Sequence, residues 1–206
     1  MKQDMTSITV VVDRSGSMQT VRDEAQKGIN AFITEQAALP GDALFTLVQF
    51  DTEHETLCDG IPIKDVPPYT LVPRGLTALL DAIGRAINVT AARLEGMKKK
   101  ERPGKVAVVI VTDGHENSSH EFTKEQINAL ITSKQADGWK FTFLGADAQA
   151  FDDAKSMGIQ AANTVQYDSA KAGETLTVAS ESLASYRSGE TGNLSYTAHM
   201  RRAVRK

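Results

Sequence analysis

Two aspartates, each at the end of a strongly apolar segment, are the residues best placed to do chemistry in this sequence. Asp13 ends the segment SITVVVD and is followed by Ser15 and Ser17, while Asp113 lies at the end of KVAVVIVTDG. In a doubly wound sheet, ligands collect at the carboxyl ends of the strands. If these two strands are neighbours, their carboxylates lie close together, and a cation or a proton must compensate the like charges.

Hydroxyl groups near the carboxylates indicate which cation this would be. Gly16 lets the chain turn tightly between Ser15 and Ser17. Both hydroxyls and the carboxylate of Asp13 can then point toward one position. Thr77, in the segment PRGLTALLDAIG, offers a third hydroxyl from a distant part of the chain. Carboxylate and hydroxyl oxygens suit a hard cation, so we predict Mg²⁺, with Mn²⁺ or Ca²⁺ as alternatives.

Short β-branched segments alternate with helical patterns, which is typical of a parallel sheet with helical crossovers. The stretches 55–58 and 61–64, split by Asp59-Gly60, indicate a hairpin at an antiparallel edge. We predict an α/β fold of three layers: a doubly wound, mostly parallel central sheet with one antiparallel edge strand and helices on both faces. The predicted strands are 7–13, 43–51, 105–114, 139–146 and 163–168, and the predicted helices are 18–38, one capped by Thr77, 123–136, 149–157 and 169–186.

The size of the chain favours one globular domain. Its 206 residues are 41% hydrophobic and 24% charged, which is ordinary for a protein that buries a sizeable core. We predict a domain over residues 1–188. The remainder, 189–206, contains Arg201, Arg202, Arg205 and Lys206 with little to bury, so we predict a basic, flexible C-terminal tail.

The composition of the chain indicates which partners and which cellular compartment to expect. The formal net charge is -3, which does not attract nucleic acid, so nucleic-acid binding is not expected. Cys58 is the single cysteine, as suits a reducing compartment. The apolar run 8–12 is too short for a signal-peptide core, and no run reaches the roughly 18 residues of a membrane span. We therefore expect a cytoplasmic protein with no membrane anchor.

The segments VVVDRSGSM, GLTALLDAI and VVIVTDG together resemble the three sequence elements of the von Willebrand factor A domain family. The resemblance covers residues 6–186 in element order, and its specificity lies in the joint occurrence of the three motifs. It implies a mostly parallel sheet wrapped by helices. Leu76 departs from the usual pattern of the family, since many relatives carry glycine at this position. A small intracellular bacterial or phage type, similar to tellurite-resistance proteins, is the expected branch of the family.

The resemblance also implies a metal-ion-dependent adhesion site, built from a DxSxS turn, a distant threonine and a distant aspartate. It implies that Ser15, Ser17 and Thr77 contact the metal directly. Asp13 and Asp113 would ligate it directly or through water. A carboxylate of a partner would then complete the metal shell.

The predicted partner is accordingly a protein with an exposed Asp or Glu. Arg14 and Arg74 flank the predicted metal site, and Glu116 follows Asp113 closely. We predict that these three residues form a rim that sets selectivity for the partner.

Some of these features also have simpler interpretations. Ser15 and Ser17 precede a helix and could cap it, since serine is a preferred N-cap residue. His115, Glu116 and His120 could suggest a zinc site. Their spacing is not HExxH and no cysteine assists, so we predict that they are loop residues.

The strongest alternative function is a Mg²⁺-dependent phosphoryl-transfer hydrolase of the haloacid dehalogenase type, which also places an aspartate after its first strand. Such enzymes normally carry a second aspartate two residues later as acid and base. This chain has Ser15 there, and a hydroxyl is too weakly acidic for that work at neutral pH. The sequence also lacks GxSxG and GxxxxGK[ST]. We therefore predict a binding module and no enzymatic activity.

Overall fold

A computed structural model describes residues 1–146 and 148–205. These residues form a six-stranded sheet in the order β3-β2-β1-β4-β5-β6. Neighbouring strands are parallel except β2 and β3, which pair antiparallel at one edge. The predicted fold class is confirmed. The strands are β1 (Lys2–Asp13), β2 (Ala43–Phe50), β3 (His54–Pro62), β4 (Pro103–Thr112), β5 (Lys140–Gly145) and β6 (Thr164–Gln166).

Helices cover both faces of the sheet, which is why the central strands are apolar on both sides. In β1, Val10 and Val12 pack into the core under one helical layer, while Val11 packs under the other. All three are almost fully buried, as expected for a central parallel strand. One layer contains α1 (Arg22–Ala38), α5 (Ala172–Ser188) and α6 (Ala198–Val204), and the other contains α2 (Leu79–Gly96), α3 (Lys124–Ala136) and α4 (Ala150–Ser156).

The predicted hairpin around Asp59-Gly60 is wrong. Strand β3 runs through these residues as one strand, and its pairing with β2 shifts register nearby. Gly60 has a φ of 63°, and a Cβ atom there would lie 2.5 Å from the Arg93 side chain. The glycine therefore serves a bulge beneath a packed arginine instead of a two-residue turn.

The prediction of a flexible tail after residue 188 is corrected by the packing of that segment. Leu194, Tyr196 and Val204 are buried in the core, and residues 198–204 form α6. The backbone N–H of Asp168 donates to the carbonyl of Val204 at 2.9 Å. The hydroxyl oxygens of Tyr196 and Thr142 lie 2.7 Å apart. These widely spaced apolar side chains anchor the segment. Lys206 lies outside the described residues.

None of the helices in the described ranges is long and apolar enough to cross a bilayer.

Candidate metal site

The site lies where β1 and β4 end side by side. Both oxygens of the Asp13 carboxylate are held: the backbone N–H of Ser15 donates to Oδ1 at 2.7 Å, and the hydroxyl of Thr112 donates to Oδ2 at 2.6 Å. Asp13 is fully buried. Thr112, which sequence reasoning missed, thus ties the end of β4 to the aspartate that ends β1.

Burial raises the pKa of Asp13 to about 6, against an ordinary value of 3.8. Hydrogen bonds from Thr112 and Ser15 lower the pKa, and the nearby charge of Asp113 raises it. The donors to the carboxylate are neutral groups, so they offset only part of the cost of burying a charge. A cation placed beside Asp13 would remove the rest.

The hydroxyls of the DxSxS turn bring the second aspartate into the same group. Ser15 Oγ and Ser17 Oγ lie 3.0 Å apart, and Ser17 Oγ donates to Asp113 Oδ1 at 2.6 Å. Ser15 precedes a short 3-10 helix (Gly16–Thr20), but its side chain makes no capping hydrogen bond. The serines face the aspartates instead of serving as helix caps.

Thr77 approaches from the loop before α2. A Cβ atom on Gly114 would lie 3.5 Å from both Ser17 Oγ and Thr77 Oγ1, so the two hydroxyls border the same space. The backbone N–H of Thr77 donates to Asn117 Oδ1 at 2.9 Å, and the N–H of Asn117 donates back to the Thr77 carbonyl at 3.0 Å. Helix α2 begins only at Leu79 and its start has no side-chain cap, so the prediction that Thr77 caps it is wrong.

The turn and the threonine loop are joined through their backbones. The N–H of Gly16 donates to the carbonyl of Gly75 at 3.2 Å, and the N–H of Arg74 donates to the carbonyl of Arg14 at 2.8 Å. The structure therefore brings oxygens from all three predicted motifs to one end of the sheet. Their role as metal ligands remains a prediction.

Two of the three predicted rim residues have internal roles. The first is Arg14, whose side chain is only 7% exposed. Its Nε donates to Asp51 Oδ2 at 2.7 Å and its Nη1 to Glu55 Oε2 at 3.0 Å. Arg14 is therefore buried in an ion pair with the aspartate that follows β2, and its assignment to the rim is corrected. Arg74 also donates to Asp51 Oδ2, at 2.8 Å, but its side chain is 55% exposed and remains at the surface.

The second is Glu116, which is half-buried. Its carboxylate accepts from the backbone N–H of Leu80 at 2.9 Å, and from those of Ser118 at 2.9 Å and Ser119 at 2.7 Å. It therefore fastens the loop after β4 to the first turn of α2. Asp81 extends this fastening by accepting from the backbone N–H groups of residues 120–122.

Asp51 is a positioning residue that sequence reasoning missed. It follows the end of β2, its side chain is 3% exposed, and it accepts from the guanidinium groups of Arg14 and Arg74. Burial acts to raise the pKa of Asp51, but hydrogen bonds from the Glu53 N–H and from both arginines outweigh it and lower the pKa. The sequence contains a pattern that could have identified Asp51: the apolar segment ALFTLVQFD ends in this aspartate, as SITVVVD ends in Asp13.

The alternative of a zinc site finds no support near His115 and His120. Within residues 1–146 and 148–205, no group of three or more His, Cys, Asp or Glu side chains could hold a metal ion. The group around Asp13 differs from such a cluster, because it combines two carboxylates with hydroxyl oxygens.

No family model and no curated protein matches the sequence. Solved structures do match. Proximal thread matrix protein 1 from the mussel byssus is 16% identical, with a TM-score of 0.62 over 85% of this chain and 47% of that chain. Another structure of the mussel protein, with a TM-score of 0.58, has a zinc-occupied MIDAS motif, the metal-ion-dependent adhesion site.

Two further structures carry the name of the family. The vWF domain of the type V pili tip protein Mfa5 from Porphyromonas gingivalis is 13% identical, with a TM-score of 0.63 over 86% of this chain and 94% of that chain. The ArnB paralog VWA2 from Sulfolobus acidocaldarius is 16% identical, with a TM-score of 0.54 over 86% of this chain and 45% of that chain. This chain thus spans about half the length of the mussel protein and of VWA2. Strand order, helical layers and these likenesses agree: the chain has the von Willebrand factor A fold.

Proposed function

We propose that this chain is a divalent-metal-dependent module that binds a protein partner. One observation carries the proposal: Ser15, Ser17 and Asp113 form a chain of hydrogen-bonded oxygens of 3.0 and 2.6 Å beside the buried carboxylate of Asp13. Two carboxylates at the ends of neighbouring strands and two hydroxyls of one turn thus lie together, and such a set of oxygens can share one cation.

The donor set fits a hard divalent cation. Every donor is an oxygen, and a hydroxyl that donates to a carboxylate can rotate its hydrogen away and present a lone pair to a metal. A bound cation would supply the positive charge that the aspartates lack and a position for an outside oxygen ligand. Gly114 keeps the space beside Ser17 and Thr77 open, because it has no side chain to fill it.

The identity of the cation follows from donor chemistry. The zinc ion in the mussel protein supports a divalent cation at a motif of this kind. In this chain the donors are carboxylates and hydroxyls, without the thiolate or imidazole ligands that zinc prefers. We therefore propose Mg²⁺, with Mn²⁺ or Ca²⁺ as substitutes.

The ligand from the partner is proposed to be the carboxylate of an exposed Asp or Glu, which is a hard oxygen donor like those of the site. Arg74 is the predicted rim residue that stays at the surface, and its positive charge can attract such a group. A hydrolase of the haloacid dehalogenase type is not favoured, because the second acid is replaced by Ser15, whose hydroxyl is bonded to Ser17.

A bead library tests the proposal with a defined probe. One library consists of random heptapeptides with a central Asp or Glu, and the other has Asn or Gln at that position. Retention of each library by the protein is measured in Mg²⁺ and in chelator. We expect retention of the acidic library in Mg²⁺ alone, and loss of retention with Thr77→Ala. Thr34→Ala, which removes an exposed hydroxyl on α1, is the matched control.

Retention that survives removal of all metal would contradict the proposal. A parallel assay for phosphate release from a generic phosphate ester addresses the enzyme alternative. Mg²⁺-dependent release that Asp13→Ala abolishes would favour the hydrolase over the binding module.

We make two further proposals, on the compartment and on the relatives of the protein. The single cysteine, Cys58, is a half-buried free thiol, and we propose the cytoplasm as the compartment of the protein. We also propose kinship with small intracellular bacterial or phage members of the family, including tellurite-resistance proteins, as a hypothesis from the three sequence motifs.

A further inference from the structure

The loop that leads to Thr77 exposes two large apolar side chains beside the candidate metal site. Val72 is 60% exposed and Leu76 is 55% exposed. Leu76 immediately precedes Thr77. Isolated apolar residues are common on protein surfaces, but these two are held in place by an anchored loop.

Hydrogen bonds fix the backbone of the loop at each end. The N–H of Leu71 donates to Gln26 Oε1 at 2.9 Å, and the N–H of Leu76 donates to Thr52 Oγ1 at 3.0 Å. Between them, Arg74 is bonded through its backbone to Arg14. The exposure of Val72 and Leu76 is therefore a property of an anchored loop.

The apolar side chains of the loop fall into a buried pair and an exposed pair. Tyr69 and Leu71 are buried, whereas Val72 and Leu76 point outward. Gly75 enforces the last turn: its φ is 68°, and a Cβ atom there would lie 2.9 Å from Thr52 Oγ1. Only glycine takes this path without strain, and the path delivers Leu76 to the surface and Thr77 to the site.

Each outward side chain has neighbours that belong to, or directly follow, the segments of the candidate site. Val72 lines a surface cavity of about 350 Å³ together with Gln19 and Arg22, which lie just beyond the DxSxS turn. Leu76 directly precedes Thr77 in the sequence, and its backbone N–H donates to Thr52 Oγ1. A segment whose carboxylate reached the cation would come close to Leu76, because this exposed residue is the neighbour of Thr77 in the sequence.

We propose that Val72 and Leu76 form an apolar rim that selects partners carrying an aliphatic or aromatic residue close to the metal-binding acid. The proposal rests on the proposed function and deepens it. A metal ion binds any accessible carboxylate, so it cannot distinguish one acidic partner from another; discrimination requires contacts to neighbouring residues. An apolar contact on an anchored loop supplies them with little ordering cost.

Sequencing the heptapeptides retained in Mg²⁺ tests the rim. For the unmodified chain we expect Leu, Ile, Val or Phe to be enriched near the central acid by roughly tenfold, the low end for one apolar contact. With Val72→Ser and Leu76→Ser combined, this enrichment should vanish while the need for acid and Mg²⁺ persists. Leu57→Ser with Val89→Ser, which removes exposed apolar side chains on β3 and α2, is the control and should keep it.

The outcomes separate the two proposals. Retention that needs acid and Mg²⁺ but shows no apolar preference, or the same preference in the Val72→Ser and Leu76→Ser variant, would overturn the rim and leave the proposed function standing. Absence of any Mg²⁺-dependent retention of acidic peptides would overturn both.

Discussion

Two buried aspartates at the ends of neighbouring strands have opposite environments. Asp13 ends β1 and Asp51 follows β2, and both are buried. Arg14 and Arg74 donate to Asp51, whereas neutral groups donate to Asp13 and the charge of Asp113 lies nearby. The pKa of Asp51 is accordingly lowered, and burial raises that of Asp13 to about 6.

The contrast shows how a structural carboxylate differs from one prepared for a ligand. A buried charge is tolerated when a partner charge compensates it. The chain supplies that partner to Asp51 from within, through Arg14, the residue that follows Asp13 in sequence. We infer that the compensating charge for Asp13 comes from a bound cation.

The largest expected effect comes from removing the compensated carboxylate. Asp51→Ala leaves the guanidinium of Arg14 buried without its main partner, and we expect the free energy of unfolding to fall by about 3–5 kcal/mol. Asp13→Asn, measured in chelator, should cause no comparable loss, because it removes an uncompensated charge. Urea unfolding of both variants measures the difference, and equal losses would contradict the distinction between the two sites.

The next effect concerns stabilisation by metal. A cation that binds only the folded chain, at 100 times its dissociation constant, should stabilise it by about 2.7 kcal/mol. Thermal unfolding in Mg²⁺ and in chelator should show this shift for the unmodified chain and for Thr34→Ala, but not for Asp13→Asn. A shift that persists in Asp13→Asn would place the cation elsewhere.

The smallest effect is expected from Arg74→Ala. Its side chain is more than half exposed and Asp51 keeps its bond to Arg14, so only a small part of the Asp51→Ala loss should appear. Unfolding curves of the two variants side by side provide the measurement. A loss as large as that of Asp51→Ala would show that Arg74, and not Arg14, compensates the buried carboxylate.

The sequence was sufficient to predict the fold class and the meeting of the motifs. Ile8 to Val12 and the run before Asp113 carry apolar residues on both faces, which is typical of a parallel strand covered by helices on both sides. Parallel neighbours end at one edge, which is why Asp13 and Asp113 could be predicted to meet.

Contacts between side chains that are far apart in the sequence could not be predicted in the same way. Arg14 and Asp51 are 37 residues apart, and nothing local shows that the arginine turns inward. Glu116 is a charged residue in a loop and would be expected to be exposed. Its oxygens instead accept hydrogen bonds from backbone N–H groups of α2 and of its own loop. The packing of the last segment could not be predicted, because Leu194 and Val204 are buried against residues of the sheet and of α5 that are distant in sequence.

Isothermal titration of Mg²⁺, Mn²⁺ and Ca²⁺ into chelator-stripped protein tests the central claim most directly. The unmodified chain should bind one cation saturably, and the double variant Asp13→Ala, Asp113→Ala should bind none. Repeating the titration with a peptide retained in the bead assay covers a site that a partner carboxylate completes. Heat of binding that is absent under both conditions, or unchanged in the double variant, would contradict the assignment of this group of oxygens as a metal site.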